Sequence, residues 1–378
     1  MKVLHVIGAL APGQAEHQLR LLVRRLPYDC EVATLSGGGP LAARIEAGGV
    51  HVHDLSADGR SPVRKLRRLI RRGRFDLVHT HRYDAAVPAR LAARLAGVPA
   101  VATEHGDGLN PDHRFYRASE RLGRMTVAVS PVVAGRLREW DVPADRIAVI
   151  APGIDPAEFA FDPALRTAAR SRLGIAPDAP VIGGLGRMVP GKRFDRLIRA
   201  LGEAPGATLL LVGDGPAQAA LQRLAAIEGV ADRVVFAGAV DHAREMLCAM
   251  DVLASPAEHG AGLVALEGLA AGLPVLYATC PPLEEEAVAR RSVDGSQHLT
   301  AHDPESLPRA LRAELLCLAE RHGGRLPRRS VERYDAARTA DSVSRLYETI
   351  GARRRPHRIR ATVVPPHRPR HAQTNALL

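Results

Sequence analysis

Short apolar runs alternate with longer amphipathic stretches along most of this chain, and the alternation starts twice. In the first half the spacing predicts strands at Val3–Ile7, Glu31–Leu35, Val50–Leu55, Asp76–Thr80, Ala100–Thr103, Thr126–Val129 and Ile147–Ile150. Helical patterns fall between them at Ala15–Leu26, Leu41–Ala47, Pro62–Arg72 and Ala85–Leu95, with Gly and Pro at most of the joins. Strands that are apolar nearly throughout and alternate with helices are covered on both faces, which makes the sheet parallel. Residues 151–180 are rich in proline and carry no strand pattern. The alternation then resumes at Val181–Gly186, Thr208–Val212, Val234–Ala237, Val252–Ala254 and Pro274–Tyr277, and a last helix is expected at Ala336–Ile350.

The fold class is therefore α/β, with two doubly wound, Rossmann-like domains facing across a cleft. The first is expected over 1–155 and the second over 156–335, with a closing helix over 336–350. Ligands of such sheets bind beyond the carboxyl ends of the strands, so the cleft is the expected site.

Composition excludes several alternatives. No apolar run reaches eighteen residues, and the start, MKVLHVIGALA, has too short an apolar stretch for a signal peptide and reads as a buried strand. Four cysteines without a C-x-x-C pair argue against a zinc ribbon or a disulfide framework and suit a reducing cytoplasm. The net charge is +11, but residues 353–378 hold seven arginines and no acid, leaving +4 for the rest. That tail, 351–378, has four prolines and no period and is expected to be disordered. Nucleic acid is an unlikely partner. Pro62–Arg72 places Val63, Leu66, Leu69 and Ile70 on one side and six cations on the remainder, which would let the protein sit peripherally on an anionic membrane surface.

Three segments carry candidate chemistry. After the first strand comes Gly8-Ala-Leu-Ala-Pro-Gly13-Gln14, a glycine turn opening a helix. It lacks the Lys-Ser/Thr of a nucleotide-hydrolase loop, but its amides suit an anion. Gly183, Gly184 and Gly186 precede Arg187 and, five residues on, Lys192. The dinucleotide pattern breaks at Val189, whereas a glycine turn with a guanidinium fork and an ammonium suits a diphosphate. The third segment runs from Ser255 through Glu258, His259, Gly260, Gly262 and Leu263 to Glu267. Free amides at its helix start suit phosphate or sugar oxygens, and Glu267, among Leu266, Leu269 and Ala270, is a buried carboxylate that paired ribose hydroxyls would satisfy.

With these segments in view, the chain resembles the family 4 retaining glycosyltransferases of the two-domain B-type fold across about residues 1–350. The resemblance rests on Gly8–Leu19, DLVHTH at 76–81, ATEHG at 102–106, VAVS at 127–130, GLGRMVPGK at 184–192, LVGDGP at 211–216, VVFAGAV at 234–240 and HGAGLVALEGLAAGLPV at 259–275. It implies that Arg187 and Lys192 bind the diphosphate of a sugar nucleotide, UDP- or GDP-linked, and that Glu267 holds the ribose. It implies that Val235–Val240, with Phe236, Gly238 and Val240, frames the base, and that His105 lies at the reacting sugar. Gly13, Gln14, Gly186, Glu258, His259, Gly260, Gly262 and Leu263 would surround the donor diphosphate and sugar, and His81 and Glu104 the acceptor side. No cofactor is implied beyond the donor, and no metal site is expected, since no Asp-x-Asp stands at a strand end.

The chain departs from the family pattern at four places, three of them near the donor site. His259 stands where the first Glu of the Glu-x7-Glu pair belongs, Ala261 replaces a phenylalanine, Gln14 replaces the second glycine of the N-terminal loop, and Ala151-Pro152-Gly153 replaces an Asn-Gly hinge. His79 and His81 alternate at a strand end, so one is expected to face the cleft, His81, and the other the core. The function expected is front-face glycosyl transfer to an acceptor hydroxyl in cell-envelope polysaccharide, glycolipid or glycosylated metabolite synthesis. The acceptor would be a sugar, a lipid-linked species or a small molecule. The rivals are an interaction protein that keeps the fold without catalysis, nucleic-acid binding through the tail, and a sugar-nucleotide epimerase.

Overall fold

The computed structural model describes all residues except 12, 58–60, 107–112, 258–261, 289–295, 300–302, 304, 321–323, 327–330 and 352–378. Two parallel sheets organise it. The first comprises β1 (Lys2–Ile7), β2 (Asp29–Thr34), β3 (Val52–Asp54), β4 (Leu77–His81), β5 (Ala100–Glu104), β6 (Met125–Ala128) and β7 (Ile147–Val149), in the order β3-β2-β1-β4-β5-β6-β7. The second comprises β8 (Val181–Leu185), β9 (Thr208–Val212), β10 (Val234–Gly238), β11 (Val252–Ser255), β12 (Val275–Tyr277) and β13 (Ser296–His298), in the order β10-β9-β8-β11-β12-β13. In each, the strand order reverses beside the first strand of the sheet. Loops part there at the carboxyl edge and leave a crevice.

Apolar side chains cover both faces of each sheet, as the strand composition requires. Val3, Ile7 and Val32 pack with Leu19 and Leu22 of the helix Gln14–Arg25 on one face of the first sheet. Leu4, Val6 and Val78 pack with Leu66 and Ile70 of Pro62–Gly73 and an alanine row of Tyr83–Ala96 on the other. A third cluster runs from Tyr116 and Leu137 through Ile154 and Phe159 to Met246 and Leu266, so apolar packing continues from one sheet into the next.

The chain returns to the first sheet at its end. Ile154 and Asp335 form a parallel bridge, with Ile154 N donating to Tyr334 O (2.9 Å) and Ala336 N to Ile154 O (2.8 Å). The helix Ala336–Gly351 then lays Ala340, Val343, Tyr347 and Ile350 into the core around Val3 and Leu19. Gly153 stands at this crossing because a Cβ there would lie 2.7 Å from Ala336 Cα, too close for any side chain. The proline-rich connection forms none of the named strands, in keeping with its sequence. It holds the helix Pro163–Arg172, capped by Asp162, whose carboxylate accepts from Ala164 N at 2.8 Å.

Candidate functional site

At the carboxyl edge of the first sheet, β4 and β5 deliver a run of histidines. Residues two apart on a strand share a face. His79 and His81 accordingly stack together with ring centroids 4.4 Å apart, and both are buried. This corrects the expectation that the pair points opposite ways. Their roles differ by depth along the strand, not by face. His79 is locked by Thr103 Oγ1 at 2.7 Å and by the Tyr347 hydroxyl. His81 Nε2 meets His5 Nδ1 at 3.1 Å, and its ring lines a cavity of about 30 Å³ with Gln18, Thr103, His105, Pro152 and Thr339, room for one or two waters.

His5, His79 and His81 bring one ring nitrogen each within 4.8 Å of the others. Both nitrogens of His79 are engaged outside the group, while His5 and His81 bond each other and leave His5 Nε2 and His81 Nδ1 buried without a hydrogen-bond partner among the described residues. Burial drives all three well below the ordinary histidine value.

His105 follows β5 directly and is half-buried, with Nε2 unpartnered. Burial, and Arg82 nearby, push it down to about 3, so it meets a substrate as a neutral imidazole able to donate or accept. Glu104 turns the other way on the strand. Burial raises it to about 7 against the pull of Arg90 and a hydrogen bond with Tyr116. Arg90 is fully buried over the Tyr116 ring (4.7 Å) and donates to Ser119 Oγ and Thr126 Oγ1 at 3.3 and 3.0 Å. Glu104 thus belongs to an internal network behind the cleft edge. Gly13 caps the first helix in extended backbone, and Gln14 opens it.

At the carboxyl edge of the second sheet the loops are laced together. Gly186 N donates to Val212 O (2.9 Å), Met188 N to Asp214 O (2.6 Å) and Gly213 N to Gly238 O (2.8 Å). On this frame the Lys192 stem lies against Gly186, its Cε 3.4 Å from where a side chain there would begin. Arg187 beside it is exposed. The Lys192 charge also reaches Glu267. Burial pushes that carboxyl up to about 8 although part of its surface is open, and Lys192 pulls the other way. Gly186 and Lys192, on the loop after β8, and Glu267, on the helix Leu263–Ala270, therefore come together from two separated segments. Phe236 packs into the core of the second sheet, while Val240 lies on its opposite apolar cluster. Glu258, His259 and Gly260 lie outside the described residues.

Gly262 caps the helix Leu263–Ala270 that carries Glu267. Its φ of +74° and the 2.7 Å from a Cβ there to Cys280 Cα both demand glycine. Gly262→Ala is expected to cost about 1–3 kcal/mol in urea unfolding and to weaken nucleotide binding with it.

Sequence reasoning missed what joins the two sheets. Gln18 donates to Gly153 O at 2.8 Å, Arg20 pairs with Glu158, and Arg44 reaches Asp241 O at 3.1 Å. His242 stacks on Phe159 at 5.0 Å and stands 3.7 Å from Glu158. Burial opposes ionisation of Glu158, but hydrogen bonds from His242 and Arg20 hold its carboxyl well below the usual range. Charged residues in an arginine-rich chain give no pairwise signal, so only the folded contacts reveal this seam.

The model of Glycosyltransferase Family 4 matches residues 15–158, and that of Glycosyl transferases group 1 matches 179–317, together about three quarters of the chain. The chain belongs to glycosyltransferase family 4. A D-inositol 3-phosphate glycosyltransferase of Nocardia farcinica is 32% identical over 235 residues, 54% of this chain and 52% of that one. A GDP-mannose-dependent alpha-(1-6)-phosphatidylinositol monomannoside mannosyltransferase of Mycolicibacterium smegmatis is 36% identical over 236 residues, 56% of this chain and 60% of that one. The chain thus spans between half and three fifths of the length of these relatives. The crystal structure of Anabaena Alr3699/HepE in complex with UDP and glucose superposes with a TM-score of 0.77 at 21% identity, over 92% of this chain and all of that one. The family 4 fold of two Rossmann-like units is therefore that of this chain.

Proposed function

We propose that this chain transfers a sugar from a nucleoside-diphosphate donor, UDP- or GDP-linked, to an acceptor hydroxyl with retention at the anomeric carbon. The observation that carries the reading is the meeting of Gly186, Lys192 and Glu267 at the carboxyl edge of the second sheet. A diphosphate seated over Gly186 takes the Lys192 ammonium and the Arg187 guanidinium. A ribose diol then donates to Glu267, which gives that costly buried carboxylate its hydrogen bonds. The amides at the start of Leu263–Ala270 add further donors for the phosphates.

In the reaction the bond from the anomeric carbon to the diphosphate breaks, and the acceptor oxygen attaches on the same face. Negative charge grows on the leaving diphosphate, where Arg187 and Lys192 meet it, and that oxygen takes the acceptor's proton. His105, neutral and half-buried at the facing edge, orients a hydroxyl of the transferred sugar. The family assignment and the glycosyltransferase names of the relatives support the reaction class.

A thermal-shift panel of nucleoside diphosphates and their sugars tests donor binding. A ligand at a hundred times its dissociation constant adds about 2.7 kcal/mol, which raises the midpoint by several degrees. At least one uridine or guanosine diphosphate species is expected to do so. A flat response across the whole panel would contradict the reading.

A further inference from the structure

His81 is 1% exposed, and the cavity of about 30 Å³ that it lines has room for a water but not for a sugar. It therefore reaches a substrate only through a neighbour. That neighbour is His105, which lines the same cavity with its ring centroid 5.8 Å from that of His81. Each ring brings a buried nitrogen that is unpartnered among the described residues, Nδ1 of His81 and Nε2 of His105. The other nitrogen of His81, Nε2, is spent on His5 Nδ1 at 3.1 Å. Two buried nitrogens beside a cavity of water size are costly unless one water serves both.

We propose that His81 is a positioning residue for His105, acting through one water held between His81 Nδ1 and His105 Nε2. The bridge stands on geometry, and its consequence for catalysis rests on the reading that His105 meets the transferred sugar. The direction of the chain follows from His5, whose Nε2 is buried without a partner among the described residues. A buried N–H left unpaired is a rarer defect than a bare acceptor, so His5 carries its proton on Nδ1 and donates to His81 Nε2. Burial keeps His81 and His105 neutral, and a neutral imidazole has a single N–H. His81 is then protonated on Nδ1 and donates to the water, and the water donates to His105 Nε2. His105 is left with its proton on Nδ1, ready to donate to a hydroxyl oxygen of the sugar. A free histidine in water prefers the opposite tautomer, with the proton on Nε2. The buried pair thus fixes both the orientation of the His105 ring and the place of its proton.

Proton–nitrogen correlation spectra of the full chain, labelled at its histidine nitrogens, test the bridge without any substrate. The His105 signals are assigned from their loss in His105→Gln. The wild type is expected to show His105 with its proton on Nδ1. His81→Phe keeps a ring of similar size but removes both nitrogens, and should return the proton to Nε2. His81→Asn, whose amide N–H stands near the place of Nδ1, should keep the wild-type pattern, whereas His81→Gln should lose it. If His81→Phe does not fold, the Asn and Gln variants decide. Kinetics test the consequence. His81→Phe is expected to lower kcat by about tenfold or more, with the donor KM within about twofold. In a His105→Ala background it should cost nothing further. A wild-type His105 protonated on Nε2, or a tautomer untouched by every folded His81 variant, overturns the proposal whether or not the chain transfers a sugar. Losses that add across His81→Phe and His105→Ala overturn it too, because His81 would then act by another route. A wild type without turnover contradicts the proposed reaction instead, and the spectra still decide the bridge.

Discussion

Arg187→Ala and Lys192→Ala are each expected to lower turnover by about a hundredfold or more, with far less effect on nucleoside monophosphate binding. The reason is when the charge appears. In the bound donor the diphosphate charge is shared across its bridging bond to the sugar. As that bond breaks, charge gathers on the leaving oxygen, and a preorganised cation is worth most at that moment. Lys192 is preorganised by its packing along Gly186, whose loop is tied to the neighbouring strands by Gly186 N to Val212 O and Gly213 N to Gly238 O. Arg187 is exposed, so removing it leaves no buried gap and its loss reads as lost transition-state stabilisation. Steady-state kinetics with the donor identified in the thermal-shift panel checks both variants. Near-native rates in the two would place the diphosphate elsewhere.

Glu267→Ala is expected to weaken nucleoside diphosphate binding by ten- to a hundredfold, the worth of a charge-assisted hydrogen bond, roughly 1.5–3 kcal/mol. The raised carboxyl adds a pH signature. Only the ionised form accepts from both hydroxyls of a ribose diol, and burial holds Glu267 near 8. Affinity of the wild type should therefore climb as pH rises toward 8, whereas Glu267→Gln should stay flat. Folding stability runs the other way. With a folded value of about 8 against the ordinary glutamate value of 4.5, the native state binds the extra proton between those values. This group's contribution is therefore largest at low pH and is lost as pH rises through about 8. Alanine removes that dependence, so the variant should be no less stable than the wild type in mildly alkaline buffer. Calorimetric titration across pH, beside thermal unfolding, separates lost binding from lost fold.

Much of the architecture is legible in the sequence because the apolar runs are continuous and the breaks are marked by Gly and Pro. The strand Ser296–His298 is not legible. It has no apolar period, and only its pairing with β12 makes it a strand. The helix Pro163–Arg172 carried a readable signal in Asp162-Pro163, the residue pair of a capped first turn, but the surrounding prolines masked it. The histidines were misread by treating positions two apart as opposite faces. Arg90 and Arg170 were invisible for a different reason. Nothing in an arginine-rich sequence distinguishes a guanidinium that is 0% exposed among Tyr116, Ser119 and Thr126, or one bound to Asp251 at 2.7 Å, from the many in solvent. Glu267 was legible because a single carboxylate stood in an otherwise apolar helix.

The most direct test of the account is proton NMR of the anomeric region while the protein acts on the sugar nucleotide that stabilises it. The account predicts that the α-linked donor signal decays, that nucleoside diphosphate appears in step, and that the transferred sugar first appears as the α anomer. It also predicts that Lys192→Ala nearly abolishes all three changes. A β-configured first product, or a donor that binds yet stays unconsumed with every acceptor class offered, would contradict it.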